Sequence, residues 1–160
     1  MALENASYTK EGYVMDEIRP WLFIGKYRDT LQLSYLQAKS IQAMLQLAEK
    51  VEQPDIVSLY LPVEDLAPVS SEHIRQGVDF IREHKQRGNR VLVACGAGMN
   101  RSSVFSVAAL KEEKGLSLFE AFKEVKRLHL ESMPHEPVWE SFCQYYNETT
   151  PYLDVMLIKI

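Results

Sequence analysis

An α/β layered domain is what this sequence predicts, with a central, mostly parallel, twisted sheet of about four to five strands flanked by helices. Three observations lead there. Short apolar runs alternate with stretches whose apolar residues recur at helical spacing. Gly, Pro and Ser fall between these stretches as stops and starts. The run RVLVA at residues 90–94 is apolar at nearly every position, as a strand buried on both faces must be.

Residues 1–16 are polar and aperiodic and read as a loose N-terminal arm. The core is expected over 17–148, with 149–160 as a tail that packs on the domain or forms an edge strand. Trp21-Leu22-Phe23-Ile24, stopped by Gly25, reads as a strand. Asp29-Thr30 can cap a short helix bearing Leu31, Leu33, Tyr35 and Leu36. The run at 41–48 is short enough to favour a strand, and 56–61 (IVSLYL) is rich in β-branched and aromatic residues. Pro62 and Pro68 bracket a loop. Ser70 or Ser71 can cap the helix that carries Ile74, Val78 and Ile81 toward a stop at Gly88. After the strand at 90–94 comes a glycine-containing turn, then a nearly apolar helix ending at Gly115. Ser117 and Glu120 form a capping box for the next helix. Pro137 suits the first position of the last one.

The chain has 160 residues, 46% apolar and 25% charged, which suits one folded domain. A net charge of −4 without runs of like charge speaks against a general nucleic-acid or anionic-membrane surface. Two cysteines make no disulfide framework and point to a reducing compartment. The four histidines and two cysteines lack metal-ligand spacing, so neither a metal nor another cofactor is expected. No segment has the length of a signal-peptide core or a membrane span. The expectation is a cytoplasmic domain, acting as a monomer.

The chemistry concentrates in residues 95–102, Cys95-Gly96-Ala97-Gly98-Met99-Asn100-Arg101-Ser102. A strand ends there, the chain turns, and a helix starts. Gly96 and Gly98 permit unusual dihedrals and a close backbone approach. Successive N–H groups in such a turn can form an anion nest, with the helix N-terminus behind them. Arg101 offers a planar fork that matches two phosphate oxygens. Cys95 stands at the mouth, where the same positive surroundings favour its thiolate. A Cys and an Arg alone would as readily be a packed thiol and a capping cation. The two glycines and the following serine, set between an apolar strand and an apolar helix, make the pattern specific.

Cys-(five residues)-Arg-Ser after a strand resembles the protein tyrosine phosphatase superfamily. With the loop VEDLAP at 63–68 and the segment IRPWLFIGKYRDT at 18–30, the chain looks like its dual-specificity subgroup over about residues 16–148. The resemblance implies a dual-specificity phosphatase-like fold, a phosphocysteine intermediate, and hydrolysis of phosphotyrosine as well as phosphoserine or phosphothreonine on a protein or peptide substrate. It implies that the amides of 96–101 and the Arg101 guanidinium hold the phosphoryl group. Ser102 is matched to the hydroxyl that steadies the thiolate. Asp65, 30 residues before Cys95, is matched to the general acid, with Glu64 as its neighbouring competitor. One departure stands out: Ala94 occupies the position where the family carries a histidine that supports the loop from beneath.

The remaining candidates have plainer expectations. His73 and His84 should face solvent; His129 and His135 flank the Met133-Pro134 loop, with a place on the rim of the site as the alternative reading. Cys143 should be packed, and Arg90, Lys126 and Arg127 solvated. Three other readings stay open. A phosphate-binding interaction module with little turnover would follow from Ala94. A phosphoinositide or RNA 5′ phosphate substrate would want cationic residues that 96–100 lack. A rhodanese-like sulfur carrier fits the arginine spacing less well.

Overall fold

The computed structural model describes residues 15–159. Five strands form one sheet in the order β1-β2-β5-β3-β4. They are β1 (Asp16–Arg19), β2 (Leu22–Lys26), β3 (Ala43–Gln46), β4 (Val57–Tyr60) and β5 (Val91–Cys95). β2, β5, β3 and β4 run parallel, and β1 pairs antiparallel with β2. The mostly parallel sheet expected from the sequence is present.

The register sets Leu22 against Val91 and Lys26 against Cys95, with Ala43 on the other side of Val91. Side chains therefore alternate between two faces. Leu22, Ile24, Ala43, Leu45, Val91, Val93 and Cys95 join one apolar cluster. Phe23, Met44, Leu92 and Ala94 join another, with Tyr35 and Leu36. Cys95 and Ala94 thus lie on opposite faces of the sheet.

The face that holds Cys95 is covered by four helices, α2 (Ser71–Gln86), α3 (Arg101–Lys114), α4 (Leu118–Leu128) and α5 (Glu136–Tyr145). α3 is central, with every residue from Ser102 to Leu110 buried. Phe105 meets Phe142 edge-on at 5.1 Å, and Phe122 meets Trp139 at 5.7 Å. Gly77 lets α2 close on α3, because a Cβ there would come within 2.4 Å of Phe105. Ser70 caps α2 by accepting from the His73 amide at 3.1 Å, and Ser117–Glu120 forms the expected box on α4. The opposite face is covered by a single short helix, α1 (Leu33–Ala38).

Several expectations are corrected. Residues 1–14 of the expected arm lie outside the described residues, but Met15 is buried and Asp16 opens β1. Asp29 and Thr30 do not cap α1. They sit in a 3-10 turn (Tyr27–Leu31), where buried Asp29 accepts from the Lys26 amide at 2.7 Å. Burial raises the Asp29 carboxyl above the usual range, against the pull of that amide. Of the two expectations for the tail, the edge strand is absent among the described residues, and α6 (Tyr152–Met156) sets Val155 into the core on the Cys95 face. His84 is buried, not solvent-facing, and its Nδ1 lies 2.9 Å from Asn89 Nδ2. Arg90 and Lys126 are not simply solvated. Arg90 Nε donates to the Lys39 carbonyl, and Lys126 Nζ donates to the carbonyls of Leu130 and Ser132.

Candidate active site

β5 delivers Cys95 to the carboxyl edge of the sheet, where ligands gather in this architecture. Residues 96–100 then turn, and α3 begins at Arg101. Gly98 adopts φ +72 and lies against β2 so closely that a Cβ would meet the Gly25 carbonyl at 3.0 Å. Both facts call for glycine there.

The direction of the loop amides follows from what holds the loop carbonyls. In a trans peptide the C=O and the next N–H point opposite ways. The Gly96 carbonyl accepts from the Tyr27 amide at 3.3 Å. The Gly98 carbonyl lies 2.5 Å from His129 Nε2. The Met99 carbonyl accepts from the Met133 amide at 2.8 Å. Three carbonyls are thus drawn away by surrounding elements, which turns the N–H groups of Ala97, Met99 and Asn100 the other way. The N-terminal end of α3 adds its partial positive charge at the same spot.

A small cleft opens over this turn, lined by Asp65, Cys95, Ala97, Met99, Asn100, Arg101 and His135. Cys95 is buried at its floor, with Sγ 3.1 Å from Ser102 Oγ and 3.5 Å from the Ser102 amide. Arg101 lines the same cleft. Its Nη1 donates to the Val63 carbonyl at 2.8 Å, and its Nη2 would lie 3.4 Å from a Cβ on Gly96.

Asp65 enters from the facing Pro62–Val69 loop. Asn100 Nδ2 donates to its backbone carbonyl at 2.7 Å and to its Oδ1 at 2.9 Å. Arg101 Nε lies 3.4 Å from the same carboxylate, close enough to pair in charge, yet aligned too poorly to count as a hydrogen bond. Glu64 is exposed and lies outside the cleft, so the structure brings Asp65 and not its neighbour to Cys95.

Three side chains in this region take roles the sequence did not assign to them. Asn100, expected only as part of the backbone cradle, latches Asp65 and accepts from the His135 amide through Oδ1 at 2.7 Å. His135 lines the cleft, its Nδ1 3.2 Å from the Asp65 carbonyl. His129 is buried and holds Gly98. The positions of the two histidines around Met133-Pro134 carried the only hint. Cys143 is packed, as expected, and burial pushes its thiol up. Ala94, on the opposite face, borders a small recess beside Tyr27, Thr30 and Gln46.

Comparison with known proteins shows what the chain is similar to. The family model for the dual specificity phosphatase catalytic domain matches residues 22–148. The chain is 31% identical over 140 residues to rat (Rattus norvegicus) dual specificity protein phosphatase 5, covering 84% of this chain and 36% of that protein. It is 35% identical over 116 residues to human dual specificity protein phosphatase 2, covering 69% and 37%. The chain spans little more than a third of the length of these curated relatives. Among solved structures, human DUSP28 superposes with a TM-score of 0.76 at 23% identity, covering 84% of this chain and 96% of that one. The human tyrosine phosphatase-like serine/threonine/tyrosine-interacting protein gives 0.75 at 26%, covering 83% and 95%. The family match takes in β2 through α5, and with them the turn at 95–102 and Asp65, and the chain belongs to the dual-specificity phosphatase family, within the cysteine-dependent tyrosine phosphatase superfamily.

Proposed function

We propose that this chain hydrolyses phosphotyrosine, and phosphoserine or phosphothreonine, on protein substrates through a phosphocysteine intermediate. The observation that carries this reading is the turn at 96–100, whose outward-held carbonyls direct amides toward the cleft above Cys95.

The phosphoryl oxygens lie against the amides of 96–101 and the Arg101 guanidinium, which offset charge as it moves in the transition state. The Cys95 thiolate attacks phosphorus, forming the S–P bond as the P–O bond to the leaving group breaks. Protonated Asp65 gives its proton to the departing oxygen. The Asp65 carboxylate then takes a proton from water as that water attacks phosphorus. The S–P bond breaks, inorganic phosphate leaves, and the Cys95 thiolate returns with the Ser102 hydroxyl at 3.1 Å to donate to it.

The rim of the cleft favours a protein substrate. Residues 96–100 carry no charge, and Met99 and Leu66 expose apolar side chains. A polyanionic phosphoinositide or an RNA end would meet no additional cation from this turn. Among the described residues no helix is long and apolar enough to cross a membrane, and both cysteines are free. The unpaired thiols support a cytoplasmic setting.

The deciding experiment is Cys95→Ser, assayed with an aryl phosphate and with tungstate as an oxyanion probe. Turnover should vanish, since a serine hydroxyl is a far weaker nucleophile at neutral pH, while tungstate binding survives. Turnover at the wild-type rate would overturn the mechanism.

A further inference from the structure

We infer that His129, held by Asp16, is a positioning residue of the phosphate loop: it fixes the Gly98–Met99 peptide with its N–H toward the substrate. This rests on reading residues 96–101 as a phosphate cradle. The imidazole lies between two acceptors, with Nδ1 2.5 Å from Asp16 Oδ2 and Nε2 2.5 Å from the Gly98 carbonyl. A carbonyl can only accept, so Nε2 must donate. Nδ1 faces the Asp16 carboxylate, so both ring nitrogens are engaged and the ring is held between β1 and the turn.

The placement explains how the cradle forms above Ala94. Of the three contacts that draw the loop carbonyls outward, those from Tyr27 and Met133 come from backbone amides. The one at Gly98 comes from a side chain that itself spans two elements, from the C-terminal end of α4 to β1. Ser132, three residues on, bonds Ser103 Oγ through its own Oγ. The segment 129–135 thus braces the turn from outside the sheet, on ground that position 94 does not reach.

Asp16, His129 and Glu131 also lie close enough together to suggest a cation site. Both ring nitrogens of His129 are engaged, by Gly98 and Asp16, and Glu131 is turned to Lys26 at 3.4 Å.

The test uses para-nitrophenyl phosphate for turnover and tungstate for oxyanion binding. His129→Ala should lower kcat/KM by about 10- to 100-fold, the cost of a small misplacement at the reacting centre, and should weaken tungstate inhibition as well. His129→Arg keeps a donor at this position and should recover part of both losses, which a merely structural role for the ring would not predict. Asp16→Asn loosens the ring from the far side and should lower kcat/KM and weaken tungstate inhibition in the same sense, by less. Unchanged tungstate inhibition and kcat/KM in folded His129→Ala would overturn the inference. If His129→Ala does not fold, tungstate inhibition and kcat/KM unchanged in Asp16→Asn would do so. Failure of the functional reading looks different: wild type then binds tungstate without turning over substrate, and the tungstate measurements still decide the role of His129.

Discussion

The turn at 95–101 and the loop that carries Asp65 face each other across one cleft, and they are held by opposite means. The turn is fixed through its backbone. Its carbonyls are bonded to Tyr27, His129 and Met133, Gly98 and Asn100 are buried, and α3 starts at its end. The Asp65 loop exposes Glu64, Asp65 and Leu66. It is anchored by the Val69 amide on Ser141 Oγ at 3.1 Å, and tied to the site by two side chains of the turn, Asn100 and Arg101. The difference matches the two tasks proposed for them. An oxyanion site must be preorganised before charge moves, while a proton donor needs to be delivered to the leaving oxygen and can hang on a lighter support. The turn also supplies the latch, so the position of Asp65 depends on Asn100 and Arg101.

This asymmetry can be attacked from the cradle side first. Arg101→Lys should lower kcat/KM by about 10²- to 10³-fold, as losing a transition-state donor does. It should do so for every leaving group, because an ammonium offers no planar fork and cannot also reach the Val63 carbonyl in the same geometry. Asp65→Asn should cost about 10²-fold with poor leaving groups and progressively less with good ones. A steady-state series of aryl phosphates checks both. If Glu64→Gln shows the leaving-group dependence and Asp65→Asn does not, the acid has been misassigned.

Asn100→Ala separates the two loops more finely. It leaves Cys95, Arg101 and Asp65 in place but removes the bonds to Asp65 and to the His135 amide. The loss should be about tenfold, the worth of one good hydrogen bond, and concentrated in poor leaving groups. Tungstate inhibition should change little. An equal loss across all leaving groups would mean that Asn100 serves the cradle instead.

The smallest effect lies outside both loops. His84 is buried against Phe80, and burial first, then the charge of Arg87, depresses its imidazole below the ordinary value. A histidine depressed in the fold binds its proton more readily when unfolded. Stability should therefore be full above the ordinary histidine value of about 6.5 and fall as pH drops through the lower folded-state value. Urea midpoints against pH should show this slope in wild type and lose it in His84→Gln. A slope that persists in His84→Gln would place the titrating group elsewhere, in or near the site.

The cradle was legible because its signal is local. A strand, two glycines, an arginine and a serine within eight residues fix a turn and its chemistry without reference to the rest of the chain. The braces were not legible, since each joins positions far apart. His129 reaches back 31 residues to Gly98 and 113 residues to Asp16, and no spacing rule anticipates that. Asn100 read as one more loop amide because its side chain could have gone anywhere. β1 escaped notice because Asp16, Glu17 and Arg19 interrupt its apolar residues, as an edge strand with one wet face allows. Asp29 has the residue type of a helix cap, but a buried carboxylate one turn earlier satisfies the Lys26 amide instead.

The central claim is that phosphoryl transfer passes through Cys95. Rapid acid quench of the enzyme with para-nitrophenyl phosphate, followed by peptide mass spectrometry, tests it most directly, and Asp65→Asn should accumulate the intermediate because its breakdown lacks a base. The account predicts one phosphoryl group on the peptide containing Cys95, bound through sulfur and absent from Cys95→Ser. Steady turnover with no phosphorylated Cys95, or a phosphoryl group on another residue that turns over at the catalytic rate, would contradict it.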